Sequence, residues 1–224
     1  MVRPVATTLR HPPRSRPGTH GLDRRGRDGP IGRARPDPRP APLTRREPAK
    51  DWGHGDLEDV KAGANYLKKL PYVNAARIGI TGTSYGGCMT LSAITFAPGF
   101  FQAAVSGAGY GDWIDCYTEQ EYRHVKLLDY EYGPLSPETK ALYQRSSPYY
   151  DVSKIETPVM LVHGTGRFPN SHASKKFADG LERYYKVFSY RTYPNENCYV
   201  NNPTNQRQMF LDMVEFFNAY LRDQ

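Results

Sequence analysis

The sequence predicts an α/β fold: a parallel sheet of about four strands flanked by helices, following a long polar N-terminal tail. Two observations predict it. Four short apolar runs, each bounded by glycine or proline, read as buried strands. The segments between them carry apolar residues at helical spacing, and strands that alternate with helices assemble into a parallel sheet covered on both faces. The 224 residues are enough for one core.

Residues 1–50 are rich in Pro, Arg and Gly and almost free of large apolar side chains. Such a segment cannot bury enough surface to offset its ordering entropy, so a disordered tail is expected. It holds 13 Lys and Arg against 4 Asp and Glu, a net of +9, while the whole chain carries +7. That leaves −2 for residues 51–224, so the basic character belongs to the tail. The folded part has no basic stripe interleaved with aromatics, which ranks nucleic acid last among partners. The tail has no apolar h-region of a secretory signal.

The first helix is expected from Asp56 as N-cap, with Glu58 and Asp59 in the first turn and Leu57, Val60, Ala64 and Leu67 on one face, ending at Pro71. ARIGITG (76–82) is the first strand, and residues 85–97 return to helix with Met89, Leu91, Ile94 and Phe96. FQAAVSGAG (101–109), PVMLVHG (158–164) and VFSYRTYP (187–194) are the remaining strands. A helix over 172–185 carries Phe177 and Leu181, and a closing helix over 206–222 has Phe210, Val214, Phe217 and Leu221 as its apolar face. Residues 110–150, rich in Tyr, Glu and Asp, interrupt the alternation. They read as a mostly helical insertion over the C-terminal edge of the sheet, where ligands bind in such folds.

The three cysteines, Cys88, Cys116 and Cys198, are odd in number and lack CxxC spacing, so neither a disulfide framework nor a zinc site is expected. No cofactor is implied. No run approaches the roughly 18 apolar residues of a membrane span. These features point to a soluble protein of a reducing compartment, the cytoplasm.

ITGTSYGGCM (80–89) sets Ser84 between Gly82 and Gly86, directly after a strand and before a helix. G-x-S-x-G in that context is the pattern of a nucleophile elbow: the serine occupies a strained turn at the top of the sheet, the glycines avoid clashes, and the N–H of Tyr85 points at a developing oxyanion.

GHGDLEDV, ARIGITGTSYGG, FQAAVSGAGYGDW, SSPYY and TPVMLVHG, taken in order, resemble the catalytic domain of the prolyl oligopeptidase family of serine peptidases, over roughly residues 51–222. The resemblance implies an α/β-hydrolase fold, Ser84 as nucleophile, and hydrolysis of peptide amides or esters through an acyl-enzyme. It also implies an acid in the loop after the strand ending in HG, and a histidine in a segment like YPGEGHG. Here those segments read HGTGRFPNSHASKKFA (163–178), without Asp or Glu, and YPNENCYVNNP (193–203), with Cys198 where the histidine would stand.

A serine hydroxyl needs a base, and the base needs an orienting group. His172 follows the appropriate strand and is the candidate replacement base. Asp112, after the strand next to the elbow strand, is the candidate acid, with a turn residue in GYGDW as its plainer role. His11 and His20 lie in the tail, His54 reads as a capping or surface residue, and His124 as exposed. The resemblance gives His163 a structural role, and Cys198 reads as a small packing residue.

The family also has about four strands before the elbow strand, including an HGG-type loop that supplies a second oxyanion donor. Nothing before residue 51 reads as a strand, so a truncated or wrongly started gene product is expected. Its open sheet edge would pair with another copy of the chain. The functional expectation is therefore a weak serine hydrolase acting on peptides or esters, set against a catalytically inactive hydrolase-fold protein that acts by binding.

Overall fold

A computed structural model describes residues 50–119, 122–165 and 171–222. The expected tail, with His11 and His20, lies outside these residues, as does the side chain of His124. In chain order the elements are α1 (Gly55–Leu67), β1 (Gly79–Thr83), α2 (Tyr85–Phe96), β2 (Ala103–Gly107), α3 (Trp113–Thr118), α4 (Tyr122–Tyr132), α5 (Lys140–Arg145), a 3-10 segment (Pro148–Lys154), β3 (Val159–Gly164), α6 (Ser171–Arg183), β4 (Phe188–Tyr193) and α7 (Pro203–Leu221). The four strands pair in parallel in the order β1-β2-β3-β4.

Both faces of the sheet are covered, and side-chain alternation decides which residue goes to which face. Ala104, Val159 and Leu161 pack with Leu91 and Ile94 of α2 and with Phe177 and Leu181 of α6. Val105, Met160 and Val162 point the other way, against Met209, Met213, Phe216 and Phe217 of α7. Each fully buried side chain of this size stabilises the fold by about 1.5–3 kcal/mol. Helix α2 lies deepest, buried without interruption from Gly87 to Thr95. Among the described strands β1 pairs with β2 alone, and it is only partly covered, in contrast to β3, which is buried along its whole length.

Two sequence expectations need correction. Asp56 is not the N-cap of α1: the helix starts at Gly55 after His54. The Asp56 carboxylate accepts from the Gly53 N–H at 2.8 Å and from the Tyr85 hydroxyl. The packed face of α7 is also rotated from the expected one. Phe217 is inward, and Leu221 stands close to Gly79, but Phe210 and Val214 are exposed, while Met209, Met213 and Phe216 are the half-buried residues packed on the sheet. Apolar residues run almost all round this helix, so periodicity alone does not select a face.

Residues 110–150, between β2 and β3, form α3, α4, α5 and the start of the 3-10 segment. Its core is Trp113, Cys116, Leu128, Tyr132 and Tyr143, packed with Cys88 of α2.

Candidate active site

Ser84 sits between the end of β1 and the start of α2 with φ 60° and ψ −123°. A non-glycine residue held there costs about 1–3 kcal/mol, which the surrounding packing must offset. Two close approaches impose the turn. A Cβ on Gly82 would lie 2.4 Å from Gly86 O, and one on Gly87 would lie 2.5 Å from Gly107 O. At Gly86 a Cβ would meet nothing within 4 Å, so the steric demand falls on Gly82 and Gly87. The Ser84 N–H donates to Gly107 O at 2.9 Å, which ties the turn to the end of β2.

Ser84 is exposed and opens onto a cavity of about 170 Å³. The C-terminal ends of the strands and the loop after β4 form one wall, through Ser84, Ala108, His163, Cys198 and Tyr199. The insertion forms the other, through Trp113, Cys116, Leu127 and Leu128, with Trp52, Tyr85, Cys88 and Tyr110 completing the lining. Trp52 stands edge-on to Tyr85, Trp113 and Tyr132, with ring centroids 5.5, 5.2 and 5.8 Å away. The Trp113 indole N–H donates to Ser146 O at 3.0 Å, which fixes its ring against the cavity.

The cavity disfavours charge. Burial pushes the Cys88 thiol up to about 12, against the lowering effect of the Tyr110 N–H that it accepts. Burial, and then the hydrogen bond to Asp56, pushes the Tyr85 phenol above its ordinary value. Burial lowers the His163 imidazole, against the raising effect of its contact with Gly164. The three cysteines, dispersed in sequence, all line this one cavity, and none of them is joined in a disulfide. Among the described residues no three His, Cys, Asp or Glu side chains are spaced to hold a metal ion.

The structure brings Ser84, Tyr85, Gly82 and Gly86 together and places the other two candidates elsewhere. Asp112 caps α3, accepting from the Ile114 N–H at 2.9 Å, and its second oxygen receives Lys176 Nζ at 2.9 Å. Lys176 also reaches Asp115 at 2.6 Å. Burial works against its charge, but the two carboxylates outweigh burial and raise its pKa. His172 is exposed on α6, 3.8 Å from Glu119, in a depression shared with Tyr149, Lys175, Lys176 and Asp179. Neither residue is among the described lining of the Ser84 cavity.

Sequence reasoning did not anticipate Trp52, Trp113, Cys198 or His163 as cavity residues. The one available signal was position, since His163 and Cys198 both follow the C-terminal ends of strands.

Residues 45–224 match the Prolyl oligopeptidase family. The chain belongs to this family of serine peptidases. It is 28% identical over 162 residues to the uncharacterized peptidase YuxL of Bacillus subtilis, covering 70% of this chain and 24% of that protein. It is 24% identical over 182 residues to dipeptidyl-peptidase 5 of Schizosaccharomyces pombe, covering 78% and 26%. Among solved structures, a puromycin-hydrolyzing peptidase of Mycobacterium tuberculosis superposes with a TM-score of 0.73 at 27% identity, covering 78% of this chain and 26% of that one. An acylaminoacyl peptidase complex, at 24% identity and a TM-score of 0.68, shares the α/β fold. The chain thus spans about a quarter of the length of these relatives. Among the described residues no helix is long and apolar enough to cross a membrane.

Proposed function

We propose that this chain is a serine hydrolase of prolyl oligopeptidase type that acts on peptide amides or esters through an acyl-enzyme on Ser84. The observation that carries the reading is Ser84 itself, exposed at φ 60° on a turn that glycine contacts enforce, at the mouth of an aromatic cavity. In this reading the turn is a nucleophile elbow. Tyr85 is the first residue of α2, where backbone N–H groups have no intrahelical partner, so its N–H is available to a developing oxyanion. The cavity lined by Trp52, Trp113 and Leu128 takes an apolar or aromatic group next to the scissile bond.

Turnover is proposed to be weak. The acid expected from the family is missing from residues 163–178, and Asp112 is engaged by Ile114 and Lys176. Loss of a triad member costs on the order of 10⁴–10⁶ in turnover. The same observation favours the second reading, a hydrolase-fold protein that binds acyl peptides without cleaving them.

Release of p-nitrophenol from p-nitrophenyl acetate separates the two. Hydrolysis above the buffer rate that disappears in Ser84→Ala supports the hydrolase. A folded wild-type chain indistinguishable from Ser84→Ala supports the binding protein.

A further inference from the structure

We infer that His163 is the general base that serves Ser84 in this chain. The inference rests on the reading of Ser84 as nucleophile and adds to it the group that takes the proton.

Strand register places the two residues at one edge. Thr83, Gly107 and Val162 are aligned across β1, β2 and β3. The next residue on each strand is Ser84, Ala108 and His163. The alignment persists through that step, because the Ser84 N–H donates to Gly107 O and the Ala108 N–H to Val162 O, both at 2.9 Å. Ser84 and His163 are therefore two strand spacings apart, about 10 Å between Cα atoms. Across such a gap a serine hydroxyl and an imidazole exchange a proton through one bridging water in the cavity they share. Ala108, with its short side chain, lies between them, and all three line the same cavity.

The ring is held in the tautomer that a base requires. His163 Nδ1 is 2.7 Å from Gly164 O. A carbonyl only accepts, so Nδ1 carries the hydrogen and Nε2 keeps the lone pair. A triad carboxylate enforces this same tautomer, and here a backbone carbonyl does so. The carbonyl is itself clamped. A Cβ on Gly164 would lie 1.6 Å from Asn197 O, so the loop after β4 presses on the end of β3. That loop is pinned by Glu196, which accepts from the Asn201 and Asn202 N–H groups and from Asn205 Nδ2, each at 2.8 Å.

The imidazole is buried, and that burial lowers its pKa and favours the neutral ring. The titratable groups facing it across the cavity are Tyr85, Cys88, Tyr110, Cys116, Cys198 and Tyr199, and no carboxylate or cation is among the described lining residues. Glu196, behind Gly164, is occupied by its loop amides.

The step runs as ordinary acyl transfer. Ser84 Oγ attacks the ester carbonyl carbon as its proton passes to His163 Nε2. The tetrahedral oxyanion faces the Tyr85 N–H. Its collapse breaks the bond to the leaving alkoxide, which takes the proton from Nε2. Water then attacks the acyl carbon, giving its proton to Nε2. The acid departs and Ser84 Oγ recovers the proton.

The test is the rate of fluorophosphonate labelling in wild type, Ser84→Ala and His163→Asn. Asparagine keeps an N–H donor for Gly164 O and removes the basic nitrogen. Labelling that is lost in Ser84→Ala and slowed about 10²-fold or more in a folded His163→Asn is the expected result. Labelling lost in Ser84→Ala but retained in His163→Asn overturns His163 and leaves Ser84 standing. No labelling of the wild type overturns both. A measurement on the wild type alone covers the case in which His163→Asn does not fold. Labelling should fall with acid at the midpoint where the ¹⁵N resonances of His163 titrate, below the ordinary histidine value of 6.5. Separate midpoints overturn the inference.

Discussion

Gly82 and Gly86 approach so closely that a Cβ on the first would stand 2.4 Å from the carbonyl oxygen of the second. That contact holds Ser84 out of the strand and above the cavity, and the two glycines play unequal parts in it. Gly82→Ala should cost about 3 kcal/mol or abolish folding, since backbone on both sides must shift. Gly86→Ala, which meets nothing within 4 Å, should be neutral or stabilise α2 by about 0.5–1 kcal/mol. Urea midpoints of the two variants check this, and equal destabilisation would contradict it.

Lys176 joins α6 to the insertion through Asp112 and Asp115, with its ammonium 4.4 Å from the centre of the Tyr149 ring. The Asp112 side chain is only 4% exposed, so Lys176→Met strands a buried carboxylate. The expected loss is about 3 kcal/mol in a denaturant melt. A change within about 0.5 kcal/mol would show that the ion pair is not what docks the insertion.

Glu196 gives a pH signature. The Asn201 N–H, the Asn205 amide and the Asn202 N–H hold its carboxyl below the ordinary value of 4.5. A depressed folded pKa means that the stabilisation is present above the unfolded pKa and is lost as pH falls through the folded one. The difference in thermal midpoint between wild type and Glu196→Gln should therefore be constant near neutrality, shrink below pH 4.5, and vanish in stronger acid. A difference that does not vary with pH would contradict this.

The fold was largely legible because its signals are local. Four apolar runs bounded by Gly or Pro became four parallel strands, and the G-x-S-x-G turn fell between the first strand and its helix. The misreadings came from long-range partners. Asp56 looks like an N-cap until Tyr85, 29 residues later, takes its carboxylate. Phe210 and Val214 look as buried as Phe217 because α7 is apolar on several sides, and only the sheet chooses among them.

The turn that carries Ser84 was legible in the sequence, and the side chains packed around it were not. Asp112 is committed by Lys176, 64 residues away, and no local pattern predicts that pairing. His163 and the three cysteines come to share a cavity with Ser84 through strand register and loop packing, which exist only once the sheet is assembled.

The central claim is that Ser84 is an activated nucleophile, and peptide mapping of the fluorophosphonate-treated chain tests it most directly. The account predicts a single adduct, on the peptide bearing Ser84, absent after prior denaturation. A folded chain that carries no adduct, or carries it on Cys198 or a cavity tyrosine, would contradict it.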